Sequence, residues 1–395
     1  HKPSNTADLR KMRTSLKKDI AYAMTPMKIF SWPVGTWPLQ DINLRSSQIL
    51  MMIIVHVEMY LDRSDSEKNL DAVVIISCGV LALLKMAWFR IRSEGLVFNF
   101  TSAVKDYNEI DGEEKRAIMR RHAYMGRVAG TGVIFFAYFS ATLFATVSML
   151  ASDEEETTLN ANETSAKSTN YPIPSECTLQ VLHVPDGLFL LVFIVEYLML
   201  LVTTNGSDAV FFGITFHLCG QAEVLQMEFT KIVSKEGNTA KRIDVLIKRH
   251  RHLLKLSEQL NNTVNSVLVV QLFSSCILIC TTGVQFILSL SEHNGVMMVK
   301  TFIVMSTCLS QLFAYSYVGD YLKGQMEGIG YSIYSSSWYD LPSYLSKDIV
   351  FILERSQDPV HLKAGDFFVV NMETYMSIVK TSMSYLSVLR VMITT

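Results

Sequence analysis

Four hydroxyl residues near the end of the chain, Thr374, Ser377, Thr381 and Ser384, share one face of a helix that turns by about 100° per residue. Val388, Val391 and Met392 continue that face without a hydroxyl. The stretch that carries them, TYMSIVKTSMSYLSVLRVM from Thr374 to Met392, is apolar enough to enter a bilayer. A hydroxyl stripe on such a helix can line water, and bare hydrophobes beyond it can close the path by dewetting. The same small hydroxyls can instead let two helices pack closely. On the residues alone the two readings weigh equally. Lys380 stands at the edge of the stripe. A charge at mid-bilayer costs about 2.5–3.5 kcal/mol on insertion scales, so it must face protein or water. A structural partner, a carbonyl or an acid, is slightly favoured for it over a part in ion passage.

No covalent chemistry suggests itself. There is no phosphate loop, no nucleophile–base pair and no metal cluster. His217, Cys219 and Glu223 faintly resemble ligand spacing, but a polar helix face explains them better. The six cysteines give no disulfide framework, and only Cys177 falls in an outer loop. Binding is the remaining chemistry, and small-molecule sites are mostly apolar with few polar groups. Candidate lining residues fall on helical faces of four apolar spans: Val74, Ser77 and Cys78; Phe135, Tyr138, Phe139 and Thr142, with Thr146 beyond; Phe189, Phe193 and Tyr197; and Ile303, Ser306, Thr307 and Ser310. Any one aromatic is as well explained by bundle packing. No charged residue belongs to the set, which suits a neutral ligand; Glu196, beside it, reads as a paired acid inside the bundle.

The elements that must hold these residues are membrane helices. The 395-residue chain is 49% hydrophobic and only 18% charged, where a soluble domain carries about 25% charge. Seven apolar runs are expected to span: about 46–61, 70–89, 128–150, 186–204, 264–290, 296–319 and 367–392. Lys and Arg alternate along the intervening segments. Those at 1–45, 85–127, 205–262 and 320–365 hold 8, 9, 8 and 4; those at 61–69, 151–186 and 291–300 hold 2, 1 and 1. The positive-inside rule then puts the N-terminus in the cytoplasm and, with seven spans, the C-terminus outside. Asn162 of the outer acidic loop is the one sequon expected to be glycosylated; those at Asn99, Asn205 and Asn261 face the cytoplasm and read as chance. The first 28 residues are basic and polar, so no cleavable leader is expected. The fold expected is an all-α membrane protein of one domain. It has a cytoplasmic segment 1–45, spans one to six over 46–319 with the fourth and fifth continuing as cytoplasmic helices at about 205–262, and a region 320–395. That last region holds an anchor helix near Ser343–Arg355, after Pro342, and the final span.

The closing fifth of the chain carries a resemblance. QLFAYSYVGDYL (Gln311–Leu322), YSSSWYDLP (Tyr334–Pro342), ILERSQDPVHLKAGDFF (Ile352–Phe368) and the Thr374–Met392 stretch, in this order, strongly resemble the insect odorant receptors. The resemblance implies an odorant-gated, non-selective cation channel of the plasma membrane of olfactory neuron dendrites. It implies a tetramer whose subunits each give their last helix to a central pore, and partnership with a shared co-receptor. It favours the water-lining reading of Thr374, Ser377, Thr381 and Ser384, with Val388, Val391 and Met392 as the narrow gate, and places the ligand pocket among the named spans towards the outside. With its short 205–262 loop, the chain looks like an odorant-specific subunit of that family rather than the co-receptor. No cofactor is implied, and enzymatic activity is not expected.

Two alternatives are weaker. A G-protein-coupled receptor requires the opposite orientation, an acidic-Arg motif after the third span and an Asn-Pro pair in the seventh. An insect gustatory receptor of the same superfamily carries Thr-Tyr, five apolar residues and Gln-Phe in its last span; Thr374-Tyr375 matches, but Thr381-Ser382 stands in place of Gln-Phe.

Overall fold

A computed structural model describes residues 6–31, 66–159, 186–232 and 239–394. The first expected span, Asn162 and Cys177 lie outside the described residues. Within them the chain is helical: α1 (Thr6–Ser31), α2 (Ser66–Ile91), α3 (Ser93–Glu109), α4 (Glu113–Leu159), α5 (Asp186–Thr230), α6 (Thr239–Ser291), α7 (Gly295–Tyr334), α8 (Ser343–Ser356) and α9 (Met372–Thr394). One two-stranded ladder, β1 (Lys363–Ala364) with β2 (Phe368–Val369), precedes α9. Among the described residues α2, the first part of α4, α6 and α7 are long and apolar enough to cross a membrane.

α5 is the central column. It packs against α1, α2, α4, α6 and α7, and every residue from Asn205 to Gly220 is buried. A helix apolar on all sides is stable only when enclosed on all sides. That explains the weaker hydrophobic run at Phe211–Leu218: it continues the fourth span into a bundle of helices. α5 runs on to Thr230 and α6 begins at Thr239, and the two meet there through Arg249–Glu228 and through Arg242 donating to the Lys231 carbonyl. The structure adds elements to that polar end that span-hunting does not find. α3 and the first turns of α4 are too charged to read as spans, yet Leu96, Phe100, Ala103 and Met119 supply a buried stripe. α1 lays Ala23, Met24 and Met27 inward and is tied to α4 by Asp19 and Arg120, 2.9 Å apart.

Helix ends follow local chemistry. Asn294 caps α7 by accepting from the Met297 amide at 3.2 Å, and His293 takes a positive φ of 55° in the turn before it. Pro342 opens α8. Its face of Leu345, Ile349 and Ile352 is buried, and it packs on α7. The last span starts later than hydropathy suggests. Residues 367–371 are not helical, because Phe368 and Val369 pair with Ala364 and Lys363.

Candidate ligand cavity and pore helix

The segment entering α9 is held by side chains from two other helices. Asn261 of α6 accepts from the Lys363 amide at 2.8 Å, and Asn265 one turn on accepts from the Gly365 amide. Gly365 has φ 66°, a conformation glycine adopts freely. On α7 the pair Gly319-Asp320 receives the chain. The Val370 carbonyl lies so close over Gly319 that a Cβ there would overlap it. Asp320 accepts from the Met372 amide at 2.8 Å, satisfying one of the first free N–H groups of α9. Asn371 accepts from Thr374 N, and the Thr374 hydroxyl donates back to the Val369 carbonyl at 2.7 Å. Thr374 is therefore part of this clamp. Asn261, a sequon residue on sequence, has a structural task.

Among the described residues α9 leans on α6 and α7. Ser382 is buried on that side, and Leu386 sits against Gly283. Ser377, Thr381, Ser384, Val388 and Val391 are exposed, Val388 and Val391 by 58% and 61%. The stripe thus faces away from the subunit's own bundle. Lys380 is exposed beside it. The Met392 side chain lies outside the described residues.

Between α4, α7 and the first turn of α9 lies a cavity of about 410 Å³, beside the clamp at the end that the charge count assigns to the cytoplasm and not towards the outside, where the resemblance put the pocket. Its volume is inside the range of about 300–1,000 Å³ usual for small-molecule sites. α4 lines it with Val128, Ala129, Gly132, Val133, Phe136 and Ala137; α7 lines it with Thr307, Leu309, Ser310, Gln311, Phe313 and Ala314; Tyr375 closes it from α9. No lining side chain is charged. Of the residues expected on sequence, Thr307 and Ser310 are brought here. Phe135 and Phe139 are not: they stack with ring centres 6.1 Å apart on the exposed face of α4, 65% and 52% accessible. Tyr138 and Thr142 are on that helix but outside the lining. Val74 is buried in the core, Ser77 bonds the Val73 carbonyl, and Cys78, Ile303 and Ser306 are half-buried. Phe189, Phe193, Tyr197 and Glu196 belong to α5, and their side chains lie outside the described residues. Sequence reasoning missed Phe136, Gln311 and Tyr375. The signal was the run of small residues, Ala129, Gly132 and Ala137, which leaves room on α4; the bulky aromatics drew the eye to the neighbouring face.

From the cavity a chain of rings leads to the polar end: Tyr375 meets Phe313 edge-on at 5.7 Å, Phe313 stacks with Tyr317 at 6.1 Å, and Tyr317 with Tyr321 at 6.0 Å. Tyr321 touches His122, which bonds Glu223 at 2.7 Å. Burial pushes the His122 imidazole below its ordinary value. Burial alone would raise the Glu223 carboxyl, but bonds from Arg121 and His122 hold it below. His217 pairs separately with Asp106 at 3.1 Å, and Cys219 is fully buried, so the sequence trio His217, Cys219, Glu223 does not converge. Among the described residues no group of His, Cys, Asp or Glu is arranged to hold a metal ion.

The fold and the cavity define a helical membrane-protein bundle with a neutral site against its last helix. The family model described as 7tm Odorant receptor matches residues 66–383, and the chain belongs to that family. It is similar to odorant receptor Or2 of Anopheles gambiae, 28% identical over 36% of this chain and 37% of the relative. It is similar to odorant receptor 47a of Drosophila melanogaster, 26% identical over 46% and 48%. The chain thus aligns with less than half the length of these relatives. The fold matches that of the insect olfactory receptor OR5 from Machilis hrabei at a TM-score of 0.75, with 14% identity, over 93% of this chain and 97% of that one. A structure of OR5 in complex with eugenol matches at 0.72 over 97% and 99%. The gustatory and G-protein-coupled alternatives give way to the odorant receptor family.

Proposed function

We propose that this chain is an odorant-specific subunit of a ligand-gated, non-selective cation channel. It assembles with the shared co-receptor, as a tetramer in the dendrite membrane of olfactory neurons, with its N-terminus in the cytoplasm and its C-terminus outside. A small neutral volatile enters the cavity between α4 and α7, and α9 lines the pore. The observation that carries this reading is Tyr375. It stands in the cavity wall and begins the helix whose exposed hydroxyl face leads away from the bundle. A ligand that moves Tyr375 therefore acts on the pore-lining element without an intermediary. OR5 of like fold is described in complex with eugenol, which supports a small-molecule site in this architecture.

The test is current through the complete channel across an odorant panel. A Cβ on Gly132 meets nothing within 4 Å, so Gly132→Leu fills cavity space without striking the backbone. It is expected to raise the half-maximal odorant concentration at least tenfold, in line with about 1–3 kcal/mol per mismatched methylene group, while surface labelling stays normal. Unchanged sensitivity would move the ligand site elsewhere.

A further inference from the structure

A buried carboxylate ties four helices together beside the cavity. Asp208 on α5 is 1% exposed, and three donors reach its oxygens. Lys85 of α2, itself wholly buried, donates to Oδ1 at 2.6 Å. The Tyr315 hydroxyl of α7 donates to the same oxygen at 2.5 Å. Gln311 of α7 donates Nε2 to Oδ2 at 2.8 Å. Gln271 of α6 in turn donates to the Gln311 carbonyl oxygen at 3.3 Å. A charge this deep must be met by hydrogen bonds, and here three donors meet the Asp208 carboxylate, while the Gln271 carbonyl oxygen at the edge of the network is buried without a partner.

Among these groups Gln311 alone also lines the cavity. Its amide orientation is fixed, because the flipped form would turn its carbonyl oxygen onto the Asp208 carboxylate. An amide nitrogen carries two N–H groups. One is committed to Asp208, and among the described residues the other has no partner. The Thr307 hydroxyl in the same wall already donates to the Ile303 carbonyl. Beside the rotatable hydroxyls of Ser310 and Tyr375, the wall therefore offers one neutral donor whose direction is fixed in advance.

Resting on the cavity as ligand site, we infer that Gln311 reads the polar end of the odorant. The ligand is a neutral molecule with a hydrogen-bond acceptor such as a carbonyl oxygen. The Lys85–Asp208 pair is the positioning element that holds Gln311 ready. A ligand that bonds Gln311 also alters the donors around Asp208, and through them the joint between α2, α5, α6 and α7.

The experiment compares methyl ketones of graded chain length with the n-alkane of each length, on the complete heteromeric channel. The wild type is expected to answer ketones at roughly tenfold lower concentration than the matched alkanes, the worth of one good hydrogen bond. Gln311→Leu is expected to erase that ratio, with the alkane response of the same variant as its internal reference; a purely structural role would lower both responses together and leave the ratio in place. If Gln311→Leu fails to reach the surface, the triple change Lys85→Met, Asp208→Asn, Gln311→Leu removes the buried charge as well and carries the same comparison. A ketone preference that survives Gln311→Leu, or a wild type without one, overturns the inference while currents to other odorants keep the channel reading intact. Surface-labelled complexes silent to both series and to a broad odorant panel overturn both.

Discussion

Asp320 shows how much a single residue of the sequence motif can carry. The YVGDYL string marks a resemblance on sequence; in the structure its glycine admits the Val370 carbonyl and its aspartate caps α9. The residues were legible as a motif, but not their task, because the partner lies 52 positions away. A lost cap of this kind costs about 0.5–2 kcal/mol. If the clamp holds α9 in its resting pose, Asp320→Ala shifts the closed–open balance by up to about 30-fold, which is what about 2 kcal/mol amounts to. Asp320→Asn keeps an acceptor oxygen and is expected to behave nearly as wild type. Basal and odorant-evoked currents, normalised to surface protein, make the comparison. Two variants alike and normal would mean that the clamp does not set the resting pose.

At the scale of elements, the strongly periodic segments were the readable ones. α8 was expected from Ser343 to Arg355 and runs to Ser356, since Pro342 starts it and three apolar residues fill one face. The start of the last span was misplaced by hydropathy, which cannot see that Phe368 and Val369 are spent on a ladder. The α9 stripe was legible in its period, and among the described residues it is exposed away from α6 and α7; a packing seam against another helix is the competing reading to be tested. If Val388 belongs to a dewetting constriction, wetting it decides the outcome. Val388→Ser is expected to raise leak current without odorant, Val388→Leu to keep the pore shut, and Ser384→Val to extend the dry zone and reduce evoked current. Recordings beside surface labelling check all three. Complexes at the surface with leak, selectivity and block untouched in every variant would make the stripe a packing seam.

The whole molecule adds what no single segment holds. The cavity joins α4, α7 and α9, so its lining is scattered over nearly 250 positions, and only Thr307 and Ser310 were found from local faces. The orientation of the bundle is predicted by its charges, and the arrangement of helices says which elements share the basic side. α1 packs on α4 and α5 at the polar end, held by Asp19–Arg120 and by Arg127 donating to the Tyr22 carbonyl at 2.9 Å. That places the N-terminal helix with the Lys- and Arg-rich segments 85–127 and 205–262. The clamp on α9 also draws on that side of the molecule, through Asn261 on α6 and Asp320 on α7. From there α9 runs 23 residues, about 34 Å at about 1.5 Å per residue, enough to cross a hydrocarbon core of about 30 Å. The two ends of the chain should therefore stand on opposite faces of the membrane, with the basic side in the cytoplasm. An epitope tag after Thr395 is expected to be labelled on intact cells, and one before His1 only after permeabilisation. Labelling of both on intact cells would deny that α9 crosses, and labelling of the N-terminal tag alone would invert the bundle.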